Sequence, residues 1–100
     1  MIKHKFNAII TERDGYKFSS KKEAKRYDEL KLLQRAGDVL FFLRQTPFHL
    51  PGNVKYVSDF MIFWKDGNVT VEDVKGMDTT LSKSKRKIVE SIYPIKIEII

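Results

Sequence analysis

Tyr56-Val57-Ser58-Asp59-Phe60-Met61-Ile62-Phe63-Trp64, then Lys65-Asp66-Gly67-Asn68, then Val69-Thr70-Val71-Glu72-Asp73-Val74-Lys75 read as two strands joined by a turn. Both strands carry charges where packing alone would place Val or Ile. Strand side chains alternate with period two, so Asp73 and Lys75 point the same way, on the face that also carries Val69 and Val71. Two charges on an apolar face require a partner or a ligand. Asp59 interrupts the most apolar stretch of the chain, in the strand expected to neighbour Asp73, and an acid there is costly unless paired. One reading is a salt bridge between Asp59 and Lys75. The other is that Asp59 and Asp73 hold a divalent cation with Lys75 beside it. Hard cations such as Mg²⁺ take carboxylate oxygens and keep several waters, so two acids and a backbone carbonyl suffice. A cation there offsets charge on a scissile phosphate while a lysine assists an attacking water. Glu72 alternates to the opposite face, with Thr70 and Val74.

Working outward, Pro47 and Pro51-Gly52-Asn53 are expected to break the chain before this hairpin, and the apolar run Val39 to Arg44 reads as a strand. Upstream, Ser20 as N-cap, Glu23 in a capping-box position and Gly37 as the stop predict a helix over Lys21 to Ala36. Tyr27, Leu30 and Leu33 form its apolar stripe. Glu23 falls on that stripe and is expected to face inward, either folded back onto the Ser20 amide or turned toward a site. Phe6 to Thr11 and Tyr16 to Phe18 around Arg13-Asp14-Gly15 read as an N-terminal hairpin, spanning 5–18. Downstream, Thr79 or Thr80 caps a second helix running to about Ile92, Pro94 ends it, and Ile95 to Ile100 closes as a strand. Leu81, Ile88 and Ile92 mark that helix's expected buried stripe. Lys85 falls on it and either snorkels or reaches the site, while Lys83, Arg86 and Lys87 face out. The core, 20–100, thus runs helix, three strands, helix, strand.

The chain has 100 residues, enough for one domain with a modest core, and 42% of them are hydrophobic, which argues against disorder. There is no cysteine, so a disulfide framework, a thiolate zinc site and a nucleophilic thiol are excluded. His4 and His49 have no metal-ligand spacing between them, so a histidine general base is not expected. Met1-Ile2-Lys3-His4-Lys5 has no signal-peptide core behind it and no segment reaches membrane-spanning length; a soluble, cytoplasmic protein is expected. The net charge of +6 attracts polyanions, nucleic acid above all. Lys21, Lys22, Lys25 and Arg26 cluster in the first helix, and Lys83, Lys85, Arg86 and Lys87 in the second, as two candidate DNA-backbone surfaces. Phe41-Phe42-Leu43 is apolar at consecutive positions, so either both sheet faces are covered or the run lies in a homodimer interface.

Asp59, then a turn, then Asp73-Val74-Lys75, set in that element order, resembles the PD-(D/E)xK nuclease superfamily with its restriction-endonuclease-like fold. Phe18-Ser19-Ser20-Lys21-Lys22-Glu23-Ala24, Gly37, Gln45 and Val71-Glu72-Asp73-Val74-Lys75-Gly76 look like a group of small phage and prophage proteins within it. The helix-borne glutamate is similar to that of phage junction-resolving endonucleases and transposon end-cleaving nucleases. The resemblance covers nearly the whole chain. It implies that Asp59 is the first metal-binding acid, Asp73 the acid of the D-x-K element, Lys75 the catalytic lysine and Glu23 the helix glutamate that completes the metal shell. The Val74 carbonyl is the backbone donor, and Gln45 orients a water or a ligand unless it is a plain strand-end amide. Ser58 stands where the superfamily often has proline.

The resulting expectation is an α/β (α+β) domain: a mixed four-stranded sheet flanked by helices in order αβββαβ, with a small N-terminal hairpin. Its activity would be that of a Mg²⁺-dependent DNA endonuclease, with Mn²⁺ able to substitute and no nucleotide cofactor. It would act as a phage- or prophage-encoded homodimer on branched or duplex DNA in the bacterial cytoplasm, resembling a Holliday junction resolvase in recombination or replication. The rival readings are an inactive DNA-binding module of the same fold and a subunit docking a replication or recombination protein through Phe41-Phe42.

Overall fold

The first helix forms between the caps that announce it. α1 (Lys21–Ala36) begins after Ser20, whose Oγ accepts from the Glu23 N–H at 3.1 Å. It stops at Gly37, which takes the left-handed conformation (φ 90°) and donates its N–H to the Gln34 carbonyl. The computed structural model describes residues 2–3 and 9–100. Ahead of α1, β1 (Ile2–Lys3), β2 (Ile9–Arg13) and β3 (Tyr16–Phe18) make a small antiparallel sheet that turns at Asp14-Gly15. Residues 5–8 of the predicted hairpin lie outside the described residues.

After α1 come β4 (Val39–Leu50), β5 (Val54–Trp64), β6 (Val69–Asp73), α2 (Thr80–Ile92) and β7 (Ile97–Ile99), which is the expected order of helix, three strands, helix, strand. The sheet is ordered β4-β5-β6-β7, antiparallel except for β6 and β7, which α2 connects as a parallel crossover. One expectation fails here. β4 does not end near Arg44 but runs 12 residues through Pro47, which pairs with Val57. β4 is an edge strand, and an edge leaves half of its N–H groups without a neighbour, so a proline there need remove no ladder bond. The break falls at Pro51-Gly52-Asn53, where Gly52 (φ 80°) and Asn53 (φ 58°) both adopt left-handed turn conformations.

Two apolar clusters hold the sheet. On one face Ala24, Tyr27 and Leu30 of α1 pack with Phe18, Val39, Phe60 and Ile62, with Phe42 and Leu33 at the margin. Burying a Leu, Ile or Phe side chain of this kind contributes roughly 1.5–3 kcal/mol. The second cluster joins Val89 of α2 to Phe48, Leu50, Tyr56, Val71 and Ile97. The predicted stripe of α2 is overturned: Leu81 is 66% and Ile88 43% exposed, and Ile92 is also exposed. Instead Val89 is buried, and the helix is oriented by its polar ties. Arg86 donates twice to Asp78, Glu90 accepts from the Ile97 N–H at 2.8 Å, and the Tyr93 hydroxyl just beyond the helix donates to the His49 carbonyl at 2.8 Å. Apolarity alone chose the wrong stripe because these bonds lie on the flank beside it. Phe41 and Phe42 divide as alternation requires: Phe42 turns toward Tyr27 and Phe60, and Phe41 stacks on Phe63 at 4.3 Å on the open face.

Glu72 takes the opposite face from Asp73, as alternation predicts; lying opposite Phe60 in the β5–β6 register, it faces α1. There Arg26 donates Nε and Nη2 to its two carboxylate oxygens, both at 2.8 Å. A bidentate pair this well buried commits Arg26 to holding α1 on the sheet rather than to an outer basic surface. Arg26→Met, which strands the Glu72 charge in the interior, is expected to cost about 3 kcal/mol in urea unfolding. Adding Glu72→Leu should return most of that loss; a double variant no more stable than Arg26→Met would refute the pairing argument.

Candidate functional site

Regular pairing between β5 and β6 ends at Phe60 and Glu72. One residue further along, side chains replace the ladder. Asp73 Oδ1 accepts the Asp59 N–H at 2.8 Å, and Asp59 Oδ2 accepts the Val74 N–H at 2.8 Å. Each carboxylate thus stands where a carbonyl of the opposite strand would. On the other side the Ile100 N–H donates to the Asp73 carbonyl at 2.9 Å, so the Asp73-Val74-Lys75 segment is held from both flanks. The outcome is a rigid pair of acids between two strands, with Lys75 Nζ 4.0 Å from Asp73 Oδ2. Lys75 thus lies by Asp73; a bridge to Asp59 is not among the ion pairs of the described residues.

α1 and β4 complete the surroundings. Glu23 is 5% exposed, facing inward as its place on the stripe predicted. Its carboxylate accepts from Ser19 Oγ at 3.4 Å and lies 3.7 Å from Arg44 Nη2, so of the two expected orientations it takes the one turned toward the site. Gln45 donates from Nε2 to Asp59 Oδ1 at 3.4 Å. Its backbone sits at φ 52°, a conformation that costs a residue with a Cβ about 1 kcal/mol and is found where a side chain must be aimed.

The charges do not balance. Burial, first of all, pushes the Asp73 carboxyl above its ordinary range; the Asp59 N–H, Lys75 and Arg86 pull the other way without cancelling it. Glu23 is also raised, by burial first and then by Asp59, with Arg44 and the Ser19 hydroxyl opposing. Three acids, Glu23, Asp59 and Asp73, face two cations at ion-pair distance among the described residues, Arg44 and Lys75, because Arg86 is committed to Asp78. Asp73 is 1% exposed, and its Oδ2 is buried without a hydrogen-bond donor. An orphaned carboxylate oxygen beside surplus negative charge is what a hard cation satisfies, so the donors present fit Mg²⁺. Among the described residues, no three Asp, Glu or His side chains converge into a ready-made cage. The fit is therefore to an ion held by one or two carboxylates and otherwise by water.

The basic side chains divide. Lys21, Lys22 and Lys25 are exposed on the outer face of α1, and Lys83 and Lys87 on α2. Arg86, expected to face out, is half-buried against Asp78, and Lys85 lies half-buried beside Leu50, Val54 and Leu81. Arg44 escaped sequence reasoning although it shares the parity of Phe42, which could have marked it as inward. It sits 4.2 Å from the Phe18 ring centre and 4.7 Å from that of Tyr16 while facing Glu23.

A family model described as "Protein of unknown function (DUF1064)" matches residues 3–99, and the chain belongs to that family. No curated protein and no solved structure matches it. No helix among the described residues is long and apolar enough to cross a membrane.

Asp73 and Glu23 bind protons more tightly folded than unfolded. Their stabilising share is therefore fully present below the ordinary carboxylate range and is lost as pH rises through the raised values. Asp73→Asn removes one of these groups and keeps an oxygen for the Asp59 N–H. In chelator at neutral pH the variant should be more stable than the parent by about 1 kcal/mol, roughly 4–8 °C in Tm, with a shallower decline between mildly acid and neutral pH. A variant that melts at or below the parent at neutral pH would contradict the idea of an uncompensated acid.

Proposed function

We propose that this member of the DUF1064 family is a Mg²⁺-dependent DNA endonuclease of the restriction-endonuclease-like, PD-(D/E)xK type, selective for branched DNA in the manner of a junction-resolving enzyme. The observation that carries this reading is the buried, unpartnered Oδ2 of Asp73, set beside Lys75 and within a group of acids one positive charge short. Mg²⁺, which Mn²⁺ can replace, would be held by the carboxylates of Asp59 and Asp73 with the Val74 carbonyl, Glu23 completing the shell through a water, and would offset the charge that grows on the scissile phosphate. The chain's own groups do the rest. Asp59 and Asp73 keep their carboxylates fixed on the Val74 and Asp59 amides, so no reorganisation is needed when the phosphate arrives. Lys75 Nζ donates to a nonbridging phosphate oxygen and orients the water that attacks in line as the bond to the leaving oxygen breaks. Burial and the neighbouring aspartate raise the Glu23 carboxyl, so it takes up a proton more readily than a free carboxylate and is suited to share the water's proton.

The exposed lysines of α1 and α2 supply sequence-independent backbone contacts, consistent with the +6 net charge. Their place in this reading is to hold DNA by shape. A homodimer working on two strands in the bacterial cytoplasm, encoded by a phage or prophage, completes it by analogy with the resembled group. The alternative is a DNA-binding module that keeps the fold without the chemistry, and one observation favours it: the acids do not form a ready-made cage.

Linear duplex, single-stranded, flap and four-way junction DNA, each incubated with the protein in Mg²⁺, test the proposal directly. The junction and flap should be cut, and cutting should fall by about 10²-fold or more in Lys75→Ala and Asp73→Asn while DNA affinity is kept. Undiminished Mg²⁺-dependent cutting by either variant would remove the assigned site. Failure of the parent to cut, with no rise in Tm on adding Mg²⁺ or Mn²⁺, would favour the binding module.

A further inference from the structure

Next to the acids lies a cleft of about 400 Å³ that the proposed hydrolysis leaves without a role. Its walls are aromatic: Tyr16 from β3, Tyr27 from α1 and Phe42 from β4. Its polar edge is made by Lys31, Gln34 and Arg44. Two consecutive β4 residues belong to both the cleft and the acidic site, because Arg44 faces Glu23 at 3.7 Å and Gln45 reaches Asp59 at 3.4 Å. A DNA strand with one phosphate at the acids therefore brings its next nucleoside to this opening.

The lining matches a base more closely than a peptide or a simple anion. Tyr16 is 50% exposed, yet its ring is set edge-on against Tyr27 at 6.1 Å and lies under the Arg44 guanidinium. A rigid, half-open aromatic face is a stacking platform. Arg44 lies over the Tyr16 ring and carries its positive charge at the edge of the cleft. Gln34 uses its Nε2 on the Leu40 carbonyl at 3.4 Å and keeps its amide oxygen for a donor. An unpaired base supplies both missing elements, a free π-face and a hydrogen-bonding edge, whereas a base inside a duplex has spent its faces on stacking and its edge on pairing. We infer that the Tyr16–Arg44 cleft captures an unpaired nucleoside next to the scissile phosphate, so that selection for branched or gapped DNA resides in this cleft. The inference rests on the nuclease reading for where the phosphate sits.

The test uses the full chain carrying Asp73→Asn, so that binding is read without cutting. Two duplexes of equal length are compared in Mg²⁺: one with a fluorescent purine analogue, 2-aminopurine, in a one-nucleotide unpaired bulge, the other with the same analogue fully paired. The bulged duplex should bind roughly tenfold more tightly, the size of one base–aromatic stack, and its fluorescence should change on binding while the paired one's does not. Adding Tyr16→Ala should erase both differences, and Tyr16→Phe should retain them. If Tyr16→Ala does not fold by thermal melting, Lys31→Ala with Gln34→Ala on the α1 rim should reduce the preference instead. Equal affinity for the two duplexes, or a preference that survives these changes, overturns the inference. Base capture in a protein whose parent never cuts DNA would remove the nuclease reading alone; cutting without base capture would remove this inference alone.

Discussion

Two carboxylate-to-amide hydrogen bonds, Asp73 accepting the Asp59 N–H and Asp59 accepting the Val74 N–H, are the constraint on which the rest of the molecule depends. β5 continues along β4 beyond Phe60, while β6 ends at Asp73, so the two strands have to part. Parting strands strand their amides, and buried amides without acceptors are costly. Here the carboxylates supply the acceptors. Asp59 is engaged at both oxygens, by the Val74 N–H and by Gln45, whereas Asp73 is engaged by a hydrogen bond at one only. Its Oδ1 is bonded and its Oδ2 orphaned.

Neighbouring residues of opposite parity then separate two tasks. Glu72 turns to α1 and is fully satisfied by Arg26; Asp73 turns away and is not satisfied. The same helix that Arg26 locks to the sheet delivers Glu23 from its first turn, three positions before Arg26. Ser20 caps the helix through the Glu23 N–H, while the Glu23 carboxylate meets Arg44 and Ser19. Fold stability and site geometry therefore share a helix but use different side chains of it.

Much of this was legible in the chain. Ser20 and Gly37 bounded α1 to the residue, because caps act locally and need no knowledge of the partner. Alternation placed Asp73 with Lys75 and sent Glu72 to the far face, because a strand has only two faces. What could not be read were features decided by tertiary pairing. Pro47 looked like a break because its sequence does not reveal that β4 is an edge. Hydropathy misplaces the stripe of α2 because the helix is turned by the bonds of Arg86, Glu90 and Tyr93 to residues outside it, Asp78, Ile97 and His49, and hydropathy sees only the helix itself. Arg44 was overlooked for the same reason: its worth comes from Glu23 and two rings brought to it by other elements.

The open edge of β4 bears on how the protein behaves in concentrated solution. Its first half presents Leu40, Phe41 and Leu43 to solvent along a strand that, among the described residues, has no paired strand on one side. Such an edge is a template on which a second extended chain can add hydrogen bonds and apolar contacts at once. Pro47, by lacking an N–H, blunts the second half of the strand only. The molecule thus carries a guarded and an unguarded length on the same edge. Colloidal stability at the unguarded length falls to the positive charge of the whole surface, so salt that screens this charge also weakens the barrier to edge-to-edge growth.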